Sequence, residues 1–114
     1  MGEQNFQREI VDILSKGSIV DLESVRAKIL EILESGDVQP YPHCRKQMRI
    51  RNFSMRDIIT VLKTGEIRPG TAEGDDVKGA FRVYGYDNDG DPLAVVVEIK
   101  EKLNRLDIFT GYGY

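Results

Sequence analysis

The chain reads as a single α+β domain in which helices come first and a three-stranded antiparallel β-meander follows. Three observations predict this. Apolar residues recur at helical spacing up to about residue 64, they alternate or run on continuously from Phe81, and Gly, Pro and Asp cluster between the two regimes. Helices followed by strands is the α+β pattern. A chain of 114 residues with 40% hydrophobic content supports one core rather than two.

Taken in order, an N-terminal helix is expected from about Phe6 to Leu14. Asp21 is placed to cap a second helix with the stripe Leu22, Val25, Ile29 and Leu33. Pro40-Tyr41-Pro42 imposes an extended approach, because a residue before proline is pushed out of the helical region, so the next helix can begin only near Pro42. Ser54, with Asp57 three residues on, forms a capping box for Met55 to Thr64. The phrase Ile-x-x-Ile/Val-Leu-x-x-Gly-x-Ile/Val occurs at Ile10–Ile19, Ile29–Val38 and Ile58–Ile67. Each copy reads as a helix ending, with Gly17, Gly36 or Gly65 in a left-handed cap and the next apolar residue packing back.

From Arg68 to Gly79 the sequence reads as a loop. Phe81 to Tyr86 alternates as a strand, Asp87 to Pro92 supplies turn residues, and Leu93 to Ile99 is a nearly continuous β-branched run. A polar turn near Glu101–Asn104 leads to a last strand around Leu106–Thr110. Because Leu93–Ile99 is apolar on both faces, its second face is expected to be covered by the N-terminal helices, a second copy or a partner protein.

Composition narrows the class. One cysteine, Cys44, excludes an intramolecular disulfide and a cysteine-built zinc site, which suits a reducing compartment. No basic segment leading into an apolar run opens the chain and no stretch nears the ~20 apolar residues of a membrane span. A cytoplasmic protein without a membrane partner is expected. The net charge of −3 conceals segregation: residues 1–38 hold four basic and eight acidic side chains, residues 39–68 seven and two, and residues 69–114 five and nine. The basic middle third marks the surface for a polyanion.

Wound as a helix, His43 to Arg51 sends Cys44 and Met48 toward the core and sets His43, Gln47 and Arg51 in an i, i+4, i+8 row, with Arg45 and Arg49 on the opposite flank. Imidazole, amide and guanidinium in one row are components of a phosphate-handling site. RNA cleavage through the 2′-hydroxyl needs a base, an acid and cations but no metal or cofactor. His43 and Arg51 are therefore the candidate catalytic residues, and Arg45, Lys46, Gln47, Arg49 and Arg56 the candidates for holding RNA phosphate. As His43 is the only histidine, its acid-base counterpart would be Tyr84, Tyr86, Tyr112 or a lysine. Arginine and tyrosine together also suit binding of single-stranded RNA without cleavage. The structural alternative for the row is that His43 caps the helix and Arg51 pairs with an acid. Asp87–Asp91 fails as a calcium loop, since with Gly90 in the sixth place the twelfth is Val96 rather than a bidentate Glu. Sequence adjacency of Cys44 to His43 does not bring a thiol within reach of a base.

His43, Gln47-Met48, Arg51, the Ser54-capped helix, Leu62 to Ile67 and Thr110-Gly111-Tyr112 together resemble a family of small bacterial domains of unknown function that looks related to the RelE, BrnT and MqsR toxins. The resemblance implies a RelE-like core over residues 41–114 behind a helical extension over 1–40. It also implies a toxin-like function acting on mRNA, free or on the ribosome, with an antitoxin as partner. The competing expectation is a non-enzymatic protein–protein interaction module on the same fold, with oligomers formed through the sheet or the N-terminal helices.

Overall fold

The computed structural model describes residues 21–70 and 79–114. The expected helix at 6–14, the first helix-ending phrase and loop residues 71–78 lie outside the described residues.

Asp21 accepts a hydrogen bond from the Ser24 amide at 3.4 Å and opens helix α1 (Leu22–Ser35), which buries Val25, Ile29 and Ile32. After Gly36 comes a short strand, β1 (Asp37–Pro40). Helix α2 (Pro42–Arg51) starts with its proline in the first turn, where a missing N–H costs nothing, and ends at Asn52 in the left-handed conformation (φ 59°). The Ser54–Asp57 capping box opens α3 (Met55–Thr64) as expected, and β2 (Glu66–Pro69) follows. The remainder comprises β3 (Ala80–Tyr86), β4 (Pro92–Lys100), a 3₁₀ turn at Glu101–Leu103 and β5 (Arg105–Tyr112). The Asp87–Asp91 segment is a hairpin turn: Asp87 Oδ1 accepts from the amides of Asp89 and Asp91, each at 2.9 Å.

The sheet differs from the expected three-stranded meander. It has five strands in the order β1-β5-β4-β3-β2 and is mixed, because β1 runs parallel to β5 while every other pair is antiparallel. The meander β3-β4-β5 forms its centre. Both edge strands are only four residues long and end in a proline, Pro40 and Pro69, so neither carries enough alternation to be seen in the sequence.

The second and third helix-ending phrases do end α1 and α3, and each goes on into an edge strand. Their glycines are not left-handed: Gly36 has φ −104° and Gly65 φ −81°. Glycine is required there by proximity. A β-carbon would lie 2.5 Å from the Asn104 carbonyl oxygen at Gly36 and 2.6 Å from that of Tyr84 at Gly65. Each helix thus ends where the chain presses against a neighbouring strand.

All three helices lie on one face of the sheet, since Ile29, Ile32, Cys44, Phe53, Ile58, Val61 and Leu62 share a buried cluster with Leu93, Val95, Val97, Leu106 and Ile108. Arg26 on α1 ties two of them together, its guanidinium donating to the carbonyls of Leu62 (2.9 Å) and Gly65 at the C-terminus of α3. On the opposite face of β4, tyrosines of the two adjoining strands cover part of the surface. Tyr84 and Tyr112 flank Ala94 on the two adjoining strands and their hydroxyls meet 3.3 Å apart, so the rings close over it, and Ala94 and Val96 are buried. Among the described residues, no helix is long and apolar enough to cross a membrane.

Candidate functional site

Helix α2 presents the sequence-derived candidates as its periodicity requires. Cys44 is fully buried and Met48 packs against the core. Burial pushes the Cys44 thiol up to about 11, which keeps it protonated and unreactive at neutral pH. His43, Arg45, Lys46, Arg49 and Arg51 are exposed along α2, and Arg56 is exposed in the first turn of α3. Within the row, Arg51 Nε donates to Gln47 Oε1 at 2.8 Å, whereas His43 joins no hydrogen bond among the described residues. Arg45 Nε reaches back to the Pro40 carbonyl at 3.2 Å.

The ion pairs of the described residues are Lys28–Glu31, Arg68–Glu66, Lys100–Glu98 and Arg105–Asp107. None involves a cation of α2 or Arg56. No acid of the described residues neutralises this surface, and the alternative in which Arg51 pairs with an acid is not realised among them. The structure does not bring His43 together with the tyrosines offered as its counterparts, because α2 packs on the helical side of the sheet and Tyr84, Tyr86 and Tyr112 point from the other.

That other face holds residues the sequence reading did not assemble. Strand register lines up Tyr84, Ala94 and Tyr112 in one row and Arg68, Arg82, Val96 and Thr110 in the next. The Arg68 guanidinium lies 4.7 Å from the Tyr84 ring centre and the Arg82 guanidinium 5.9 Å. Arg82 Nη2 donates to the Pro69 carbonyl at 3.2 Å and Nη1 lies 3.5 Å from the Tyr84 hydroxyl, while its buried Nε–H has no acceptor among the described residues. Tyr114 sets its ring edge-on against Tyr84 with centroids 5.2 Å apart and donates to the Gly85 carbonyl at 3.1 Å. The alternation Arg82, Tyr84, Tyr86 was a usable signal for this face. Arg68 was hidden by being read into a loop.

Further along the same face, Asp107 is fully buried. Arg105 Nε donates to its Oδ1 at 2.9 Å, and the Tyr41 hydroxyl to its Oδ2 at 2.9 Å. Tyr41 also packs on Phe109, with ring centres 5.0 Å apart. The hydrogen bond to Asp107 raises the Tyr41 phenol above its ordinary range, because the acceptor carboxylate favours the protonated donor. This cluster fastens the β1–α2 junction to β5. Among the described residues, no group of three or more His, Cys, Asp or Glu is placed to hold a metal ion.

A mixed five-stranded sheet with helices on one face, a cationic helix on that side and an arginine–tyrosine surface on the other defines a small α+β domain. Residues 41–110 match the model of a domain of unknown function, DUF4258, and as this is more than half of the chain, the chain belongs to that family. No curated protein and no solved structure matches it.

Proposed function

We propose that this domain is a toxin-like, RNA-directed protein of the toxin–antitoxin type. It holds RNA, free or on the ribosome, on the outer flank of α2 and cleaves it without a metal. The observation that carries the reading is the set of exposed cations, Arg45, Lys46, Arg49, Arg51 and Arg56, that no acid of the described residues neutralises. Such a strip attracts phosphate and gains free energy by releasing the counterions condensed on the nucleic acid. The His43–Tyr112 pattern resembles a family of small bacterial domains that looks related to the RelE, BrnT and MqsR toxins, which supports the same direction.

In this reading the imidazole of His43 takes the proton of a 2′-hydroxyl, whose oxygen attacks the adjacent phosphorus. The P–O5′ bond breaks, and the departing oxygen takes a proton from Lys46 or from water, leaving a 2′,3′-cyclic phosphate and a 5′-hydroxyl. Arg51, steadied by Gln47, stabilises the added negative charge, with Arg45, Arg49 and Arg56 holding the flanking phosphates. Induced expression in a bacterial host tests cleavage. Growth arrest and transcript breakage are expected for the wild type and are expected to be lost with His43→Ala and with Arg51→Ala. Harmless expression of folded wild-type protein would overturn it. Binding by itself is read from its salt dependence, which should be steep and shallower by about one unit of slope for each of Arg45→Ala and Arg49→Ala.

The apolar groove between α1 and α3, lined by Leu30, Leu33, Glu34, Ile59 and Lys63, favours a second reading. Here the domain is a non-enzymatic interaction module, and the groove receives an antitoxin-like protein. Leu30→Asp would then abolish co-purification of a partner while leaving RNA affinity unchanged.

A further inference from the structure

We propose that the face of the sheet opposite the described helices is a second nucleic-acid site, binding unpaired nucleotides with bases against Tyr86 and Tyr114 and phosphate at Arg68 and Arg82. Tyr86 and Tyr114 are among the most exposed large hydrophobic residues of the described chain, at 61% and 57%. Tyr114 is nevertheless held in place by its edge contact with Tyr84 and its hydrogen bond to Gly85, so a base stacking on it meets a ring already ordered. Every base offers a π-face, whatever its sequence, only when it is unpaired. A duplex offers such a face only at its two ends.

The cations stand two rows behind these rings. Tyr86, Tyr84 and Arg82 occupy alternate positions of β3, so Tyr86 and Arg82 lie roughly 13 Å apart at about 3.3 Å per residue. A stacked strand of about four nucleotides covers that span, since stacked residues of one strand advance about 3.4 Å each. Arg68 is half-exposed, and its present partner, Glu66, is a solvent-screened carboxylate at 3.3 Å that a phosphate can replace. Arg82 brings a buried Nε–H without an acceptor among the described residues and a distant contact, 3.5 Å, to the Tyr84 hydroxyl, so a small shift toward a phosphate oxygen improves its bonding. Between the exposed rings and the cations, Tyr84 and Tyr112 form the surface, their hydroxyls meeting 3.3 Å apart over the buried Ala94. The site does not depend on the α2 reading, because the sheet separates the two surfaces.

The test is fluorescence anisotropy with a labelled ten-nucleotide single-stranded RNA of mixed sequence, an abasic strand of the same length and charge, and the blunt duplex. AMP serves as competitor. The intact strand should bind most tightly, and AMP at equal nucleotide concentration should not displace it. Tyr86→Ala and Tyr114→Ala should each weaken binding roughly 5- to 150-fold, the range of one lost base stack, and the corresponding Phe variants should restore it. Arg68→Gln should lower the salt slope by about one. Thermal unfolding checks that each variant remains folded. Equal affinity for intact and abasic strands, full displacement by AMP, or Tyr86→Ala and Tyr114→Ala proteins that bind like wild type would each overturn the proposal. If Arg45→Ala and Arg49→Ala abolish binding while the tyrosine variants do nothing, this site falls and the α2 reading stands. The reverse result removes α2 and keeps this face.

Discussion

Asp107 is the only charged side chain that is fully buried among the described residues, and two different elements converge on it. A carboxylate in that position is tolerated because Arg105 and Tyr41 supply its donors. Asp107→Asn keeps the volume but loses the charge that Arg105 answers, and urea unfolding should register a loss of about 1–3 kcal/mol. The same substitution should be visible at Tyr41. In the folded protein its phenol stays protonated to higher pH than the ordinary value of 10.0, so its contribution to stability is intact below that value and disappears as pH rises through the folded pKa. An NMR titration of Tyr41 should show this late ionisation in the wild type and a return toward the ordinary range in Asp107→Asn. Cys44 makes a simpler case. With its thiol pushed up to about 11 by burial, a thiol reagent at pH 8 should leave the native protein unmodified and react fully in urea.

Helix α3 is fixed at both ends by contacts that reach beyond it. At its start Asp57 serves the capping box and also accepts from the Asn88 amide and side chain, each at 3.0 Å, joining the helix to the β3–β4 turn. Ser54→Ala should therefore cost about 1 kcal/mol by chemical denaturation. The Asn88 and Ser54 hydrogen bonds hold the Asp57 carboxyl below its usual range, so its contribution is present above the ordinary carboxylate pKa and fades as pH falls through the folded one. Asp57→Ala should accordingly flatten the acid limb of the stability profile. At the far end, Gly65→Ala places a methyl group 2.6 Å from the Tyr84 carbonyl and should destabilise by about 1–3 kcal/mol despite adding helix propensity. These helix boundaries were legible because caps are local chemistry written in adjacent residues. Strands β1 and β2 were not, since four residues beside a glycine look the same whether they close a helix or pair with a strand some 70 residues away, as Val38 does with Leu106.

Across the whole molecule, the sequence located the cationic helix and its inward and outward sides, because helical period and charge are properties of neighbouring residues. It did not reveal that His43 would be separated from the tyrosines by the sheet, or that Arg68 would be carried beside Tyr84 by an edge strand. Pairings of that kind come into being only with the register. The two prolines that end the edge strands also determine how the molecule meets others. The Gly70 amide bonds to the Ala80 carbonyl and the Tyr41 amide to the Ile108 carbonyl, so the preceding residue in each strand, Pro69 or Pro40, directs its backbone nitrogen outward. An incoming strand would find no N–H at either place, and each short edge would offer little more than Ile67 or Val38 as a donor. The sheet thus terminates itself on both sides, and Pro69→Val should raise concentration-dependent light scattering. Encounters with a partner are directed onto the two broad surfaces, where side chains rather than backbone choose what is accepted.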